Sequence, residues 1–136
     1  MNSNQQDVEQ VKSHIVETYL NGAFNARNVD AMRRGFHEEF AIFSAEGNDL
    51  GRFPIGVWTT KLEQSLADGY DAADPKNIWR YEFATVDVTG GAAIVKLHLY
   101  NEGVHIYTDY ISLLRFERGW RIAAKIYHQH NERKNW

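Results

Sequence analysis

The chain has 136 residues, no cysteine, and a formal charge of −3 from 15 basic and 18 acidic side chains. That length predicts one domain that buries about two-thirds of its extended surface. The absence of thiols excludes thiol catalysis, thiolate metal sites and disulfides, and the mildly acidic balance argues against a nucleic-acid binder.

The start, Met1 to Asp7, is polar and lacks a basic segment followed by an apolar run, and no apolar stretch approaches a membrane span. A soluble, cytoplasmic protein without membrane contact is expected. Asn4 and Asp7 then form a helix start, cap and first-turn acid. Val8, Val11, Ile15, Tyr19 and Ala23 recur at spacings of 3, 4, 4 and 4, with Val16, Leu20 and Phe24 widening the stripe. This first helix should stop between Gly22 and Asn25. A short second helix fits Val29 to Arg34, capped by Asn28 and ended by Gly35. A strand is predicted from Phe40 to Ser44, a turn at Glu46 to Asp49, and a brief return strand from Leu50 to Phe53. Pro54 suits the first position of a third helix, on which Ile55, Trp58, Leu62 and Leu66 share a face until Gly69. Asp71 to Asn77 reads as loop.

Four long strands complete the chain. Ile78 to Val88 is followed by the Gly90-Gly91 turn. Ala92 to Tyr100 places Ala93, Val95, Leu97 and Leu99 on one face, before a turn at Asn101 to Gly103. His105 to Phe116 follows, then Arg118-Gly119, then Trp120 to about His130. Strict alternation on this last strand groups Trp120, Ile122, Ala124, Ile126 and His128, and turns Arg121 and Lys125 outwards unless a bulge shifts the register. Helices first and hairpins after give an α+β fold: three N-terminal helices packed on a strongly curved antiparallel sheet, a half-closed cone with a hollow at one end. The core should run from about residue 5 to 130, with 1–4 and 132–136 frayed. Ile94, His98, Tyr100, Tyr110 and Leu114 fall on the opposite face of the sheet, which predicts a homodimer through that face.

The stretches Thr108-Asp109-Tyr110-Ile111-Ser112-Leu113-Leu114-Arg115, Gly119-Trp120-Arg121-Ile122 and Lys125-Ile126-Tyr127-His128 resemble the C-terminal hallmark of the putative lumazine-binding family. That family lies in the nuclear transport factor 2-like superfamily, with ketosteroid isomerase-like and polyketide cyclase-like proteins. The long first helix and Ala31-Met32-Arg33-Arg34-Gly35-Phe36-His37 are similar to its N-terminal half. The resemblance covers roughly residues 8–130 and implies a cone-shaped fold. It supplies no mechanism, since the superfamily hosts unrelated chemistries.

Asp109 is the first candidate for chemistry. It shares a strand face with Tyr107, Ile111 and Leu113, so on the cavity side it would be a carboxylate in apolar surroundings, as a general base requires. The competing reading is a structural acid held by backbone N–H groups, or paired with Arg121 or Lys125 across the hairpin. His37, at the helix-to-strand corner, is a second catalytic candidate, against a hydrogen-bonded structural role. His128 and His130 form a His-x-His pair that could give two metal ligands. Nothing fixes a third, although His98 or His105 could approach, so no metal is expected. Tyr19, Trp58, Leu62, Trp120 and His128 are the candidate ligand-binding residues, with core filling the alternative for the aromatic ones. No phosphate loop, nucleophile elbow or His-Glu-x-x-His motif is present, and no cofactor is expected.

Three functions fit this pattern. The first is a binding domain for a small apolar or heterocyclic molecule. The second is a cofactor-independent isomerase, dehydratase or cyclase with Asp109 as base and Tyr19 or His37 as donor to an oxyanion. The third is an interaction module with a vestigial pocket. The single readable inward carboxylate favours the first.

Overall fold

In the computed structural model, which describes residues 3–133, the first element is a helix. Helix α1 (Ser3–His14) runs into a π-helical segment (Ile15–Phe24) and is followed by α2 (Val29–Gly35), β1 (Phe36–Glu46), β2 (Asp49–Pro54) and α3 (Ile55–Ala67). A 3-10 turn (Pro75–Asn77) then leads to β3 (Trp79–Thr89), β4 (Ala92–Asn101), β5 (Val104–Phe116) and β6 (Gly119–Gln129). Of the ends expected to fray, residues 1–2 and 134–136 lie outside the described residues. Asn4 is not a cap: its amide lies within α1 and donates to the Val88 carbonyl at 2.8 Å, tying α1 to β3.

The first helix differs from its expected form. It is α-helical only to His14, and then widens until the Asn25 N–H bonds Leu20 O, five residues back. The consecutive spacings of four at Ile15, Tyr19 and Ala23 overshoot 3.6 residues per turn, and the wider turns keep Ile15, Tyr19, Leu20, Ala23 and Phe24 on the buried side. Thr18 Oγ1 donates to His14 O at the junction. Helix α2 crosses this segment so closely that a Cβ on Gly35 would lie 2.1 Å from Thr18 Cβ. Its Asn28 cap is as expected, accepting from the Ala31 N–H at 3.2 Å. Arg27, one residue earlier, has a left-handed φ of 50° and stacks its guanidinium 3.5 Å from the Tyr70 ring centre, while Nη1 donates to Ser65 Oγ on α3.

The six strands form one curved sheet in the order β2-β1-β6-β5-β4-β3. All neighbours are antiparallel except β1 and β6, which run parallel, a pairing that the sequence reading did not anticipate. Strand β1 starts at Phe36, earlier than predicted, directly where α2 ends. The Gly90-Gly91 and Glu102-Gly103 hairpins turn through left-handed residues, φ 56° at Gly90 and 51° at Glu102. The helices cover the concave face. The core between the layers contains Val11, Ile15, Met32, Phe36, Phe40, Val95, Leu97, Leu99, Ile111, Leu113 and Ile122.

One irregularity decides what the concave face presents. Ser112 pairs with Ala124 but Leu113 pairs with Ile122, so Ala123 is an extra residue on β6. Trp120 and Ile122 point inwards as expected. Beyond the bulge the alternation inverts. Lys125 turns inwards and is buried, while Ile126 is 55% exposed on the outer face. The outward orientation expected for Lys125 is therefore corrected, as is the grouping of Ala124, Ile126 and His128 with Trp120.

Candidate functional site

Three polar side chains meet inside the apolar layer. Tyr19 projects from the π-helical segment, Asp109 from the middle of β5 and Lys125 from β6 just past the bulge. Register fixes the strand pair: Ile111 lies opposite Lys125 and Asp109 opposite Tyr127, which puts all four on one face. The Tyr19 hydroxyl donates to Asp109 Oδ2 and accepts from Lys125 Nζ, the latter at 2.7 Å. Nζ and Oδ2 are 3.8 Å apart, so the hydroxyl bridges two groups that are neighbours but not directly bonded. Asp109 Oδ1 is buried and has no hydrogen-bond partner among the described residues.

Desolvation dominates here. It pushes the Asp109 carboxyl above its usual range, against the opposing pulls of the Lys125 charge and the Tyr19 hydrogen bond. It pulls the Lys125 amine below its ordinary value, against the Asp109 charge and with a smaller push from Arg133. The Tyr19 phenol is held well above 10.0, by burial first and by the adjacent Asp109 charge second. Tyr19 therefore acts as a neutral hydroxyl near neutral pH, able to donate to one partner and accept from the other.

Lys125 also faces a cavity of about 320 Å³, lined with Phe24, Ile42, Ser44, Phe53, Trp58, Tyr107, Tyr127 and Arg133. That is at the small end of the range for small-molecule sites. Nζ lies 4.9 Å from the centre of the Trp58 ring, 5.0 Å from Tyr19 and 5.1 Å from Tyr127, a partial aromatic cage around the amine. The Arg133 guanidinium sits 5.0 Å from the Trp79 ring centre, and Trp79 stacks on Tyr107 at 5.8 Å.

The candidate residues from the sequence divide by position. Tyr19, Asp109 and Trp58 come together, with the Tyr19 and Trp58 rings 6.1 Å apart edge to face. Asp109 is on the inner face, but it is fully buried behind Tyr19 and absent from the cavity wall. Of its two readings, the cross-hairpin contact with Lys125 is present at 3.8 Å. Leu62 is buried in the core and not among the cavity residues. Trp120 is buried near the other end of the sheet, under the Arg115 guanidinium at 5.0 Å.

His128 is exposed on the outer face, because the bulge inverts its side of β6. There it meets His130 edge to face at 4.7 Å. His98 Nδ1, His105 Nε2 and His130 Nε2 lie 2.9, 3.2 and 2.8 Å from the Thr108 hydroxyl. His37 leans on Phe116 at 5.0 Å and accepts the Glu39 N–H. Phe116 is seven residues along β5 from Asp109, roughly 20 Å away at strand spacing, so His37 and Asp109 are not brought together.

Sequence reasoning missed Lys125, Tyr127 and Arg133 as cavity residues. One signal did point to the first: an acid in the apolar row Tyr107-Asp109-Ile111 calls for a base, and Lys125 and Arg121 are the bases that β6 offers.

The model of the family described as putative lumazine-binding matches residues 6–128. The chain belongs to this putative lumazine-binding family. No curated protein matches it. Among solved structures, a nuclear transport factor 2-like protein of unknown function from Shewanella baltica superposes with a TM-score of 0.74 at 23% identity, covering 97% of this chain and 100% of its own. A similar protein from Silicibacter pomeroyi gives 0.72 at 18% identity, covering 96% and 100%. A putative dehydratase of the nuclear transport factor 2-like family from Streptomyces avermitilis gives 0.63 at 14% identity, covering 94% and 99%. At these identities the likeness is one of fold. The expected α+β cone and the expected family are both borne out. In this putative lumazine-binding chain, no helix among the described residues is long and apolar enough to cross a membrane.

Proposed function

We propose that this protein binds a small, flat heterocyclic molecule in the cavity beside Lys125. The observation that carries the reading is the cavity itself: about 320 Å³ bounded by Phe24, Phe53, Trp58, Tyr107 and Tyr127, with an amine at its inner end. Aromatic walls offer flat faces to a ring, and a few polar groups orient it. The family description supports a heterocycle as the occupant. The reading with Asp109 as general base has less support, because that carboxylate is bonded to the Tyr19 hydroxyl and absent from the cavity wall, where Lys125 stands instead. Calorimetric titration with lumazine and a panel of fused-ring heterocycles tests the reading. Saturable one-to-one binding is expected, weakened at least tenfold in Trp58→Ala. A folded protein that takes up none of them at millimolar concentration would overturn it, and would favour the interaction module.

We also propose pairing of two copies through the outer face of the sheet. Register sets Ile94, Ser112 and Ala124 in one row and Lys96, Tyr110 and Ile126 in the next. Ile94, Tyr110, Leu114 and Ile126 are 41, 39, 45 and 55% exposed, an apolar patch of the kind that marks contact sites. Sedimentation should give a dimer at micromolar concentration and a monomer for Ile126→Glu. A monomeric parent protein would refute the pairing.

A further inference from the structure

We infer that the ligand of this cavity is an aromatic or heteroaromatic acid whose ionised oxygen seats on Lys125, an inference that rests on the cavity reading above and deepens it. An ammonium group has three N–H donors. One of them goes to Tyr19 Oη at 2.7 Å. Asp109 Oδ2, at 3.8 Å, is too far for a hydrogen bond. Two donors on a nearly fully buried nitrogen are thus left without an acceptor among the described residues, and this nitrogen borders the open space. Unmet donors of a buried cation are costly, and a charge-assisted bond to an anionic oxygen is the strongest way to meet them.

The surroundings narrow the ligand class. The rings of Trp58 and Tyr127 hold the charge through their π faces but accept no directed hydrogen bond from it in the structure. Among the described residues the cavity wall includes Lys125 and Arg133 and no aspartate or glutamate, so an anion meets no like charge from them. Asp109 lies behind the Tyr19 hydroxyl, where it supplies the buried counter-charge that favours the protonated amine without occupying the amine's outward side. The ring of the acid would then occupy the space bounded by Phe53, Trp58 and Tyr107. A neutral ring of the same size gains the apolar contacts but leaves the two donors unmet.

Two ring-matched probes separate this inference from the reading beneath it. Binding of 2-naphthoate and of 2-naphthalenemethanol is measured by calorimetry at fixed ionic strength, for the parent protein and Lys125→Met. The anion should bind at least tenfold more tightly than the alcohol to the parent protein, and the two should fall within about twofold of each other in Lys125→Met. Should that variant fail to fold with Asp109 left alone, Lys125→Met/Asp109→Asn removes both partners and serves in its place. Equal binding of the two probes to the parent protein overturns the acid assignment and leaves the cavity reading standing. A preference that persists in the folded Lys125 variant overturns the role of this amine. Binding of neither probe overturns the cavity reading itself.

Discussion

Replacing Tyr19 with Phe removes one oxygen from the centre of the buried cluster and leaves almost everything else. The ring still packs against Phe24, Phe36 and Trp58, at 5.4, 6.1 and 6.1 Å, so no sizeable void opens and the loss reports the polar contribution. Asp109 loses the hydroxyl that donates to Oδ2, and since Oδ1 has no partner, the carboxylate is left without a hydrogen bond among the described residues. Lys125 loses its acceptor at 2.7 Å. A hydrogen bond to a charged group contributes about 1.5–3 kcal/mol, and two are broken. Part returns if Nζ closes the 3.8 Å gap to Oδ2, which gives a net destabilisation of about 2–4 kcal/mol. At about 4 °C per kcal/mol for a chain of this length, Tm should fall by roughly 8–16 °C. Urea unfolding should show a lower midpoint at unchanged m. A loss below about 0.5 kcal/mol would refute the view that this hydroxyl holds the pair together.

Three further outcomes follow from the same geometry. Burial raises the Asp109 carboxyl above 3.8 in the fold, so the folded state keeps its proton where the unfolded chain has lost it. The stability of the parent protein relative to Asp109→Asn should therefore fall as pH rises from 3.8 through the elevated folded value, and unfolding curves that move the other way would contradict a desolvated acid. Gly35→Ala should cost about 3 kcal/mol or more by overpacking, and Thr18→Ala should not rescue it, because the obstruction at 2.1 Å is Thr18 Cβ itself; a well-folded single variant in thermal melts would show that the helix contact is looser. His130 should titrate below 6.5, through desolvation first and then the charges of His105, His128 and His98. NMR following its ring proton checks this, and a midpoint at or above 6.5 would contradict the clustering.

The architecture was readable because each element carries its own local signal. The Asn28 cap, the helical spacing of Ile55, Trp58 and Leu62, and the Gly90-Gly91 turn act over a few residues and are written in the sequence. The inward side of Tyr19 and Trp58 was legible for the same reason: both belong to apolar stripes. Features set by pairing were harder to read. The parallel contact of β1 with β6 joins residues eighty or so apart, and no local pattern encodes it. The bulge at Ala123 was foreseen only as a condition under which Lys125 would turn inwards, since small adjacent residues fit either face of a strand. The residues assigned beyond it, Ala124, Lys125, Ile126 and His128, were therefore put on the wrong side. Arg27 was missed because a guanidinium on Tyr70 behaves as a stacked plane, which hydropathy patterns do not register.

The inserted residue on β6 has a consequence for how such chains diversify. Deleting Ala123 would remove the extra residue and leave the pairing beyond it unchanged, with Lys125 still inside and Ile126 still outside. One residue gained between Ala123 and Lys125, and paired without a second bulge, would instead carry Lys125 to the outside and bring Ile126 in, exchanging a charged interior for a greasy one. Relatives that carry such an added residue should differ in what they hold, whereas those that lack Ala123 should not, however alike their sequences read elsewhere.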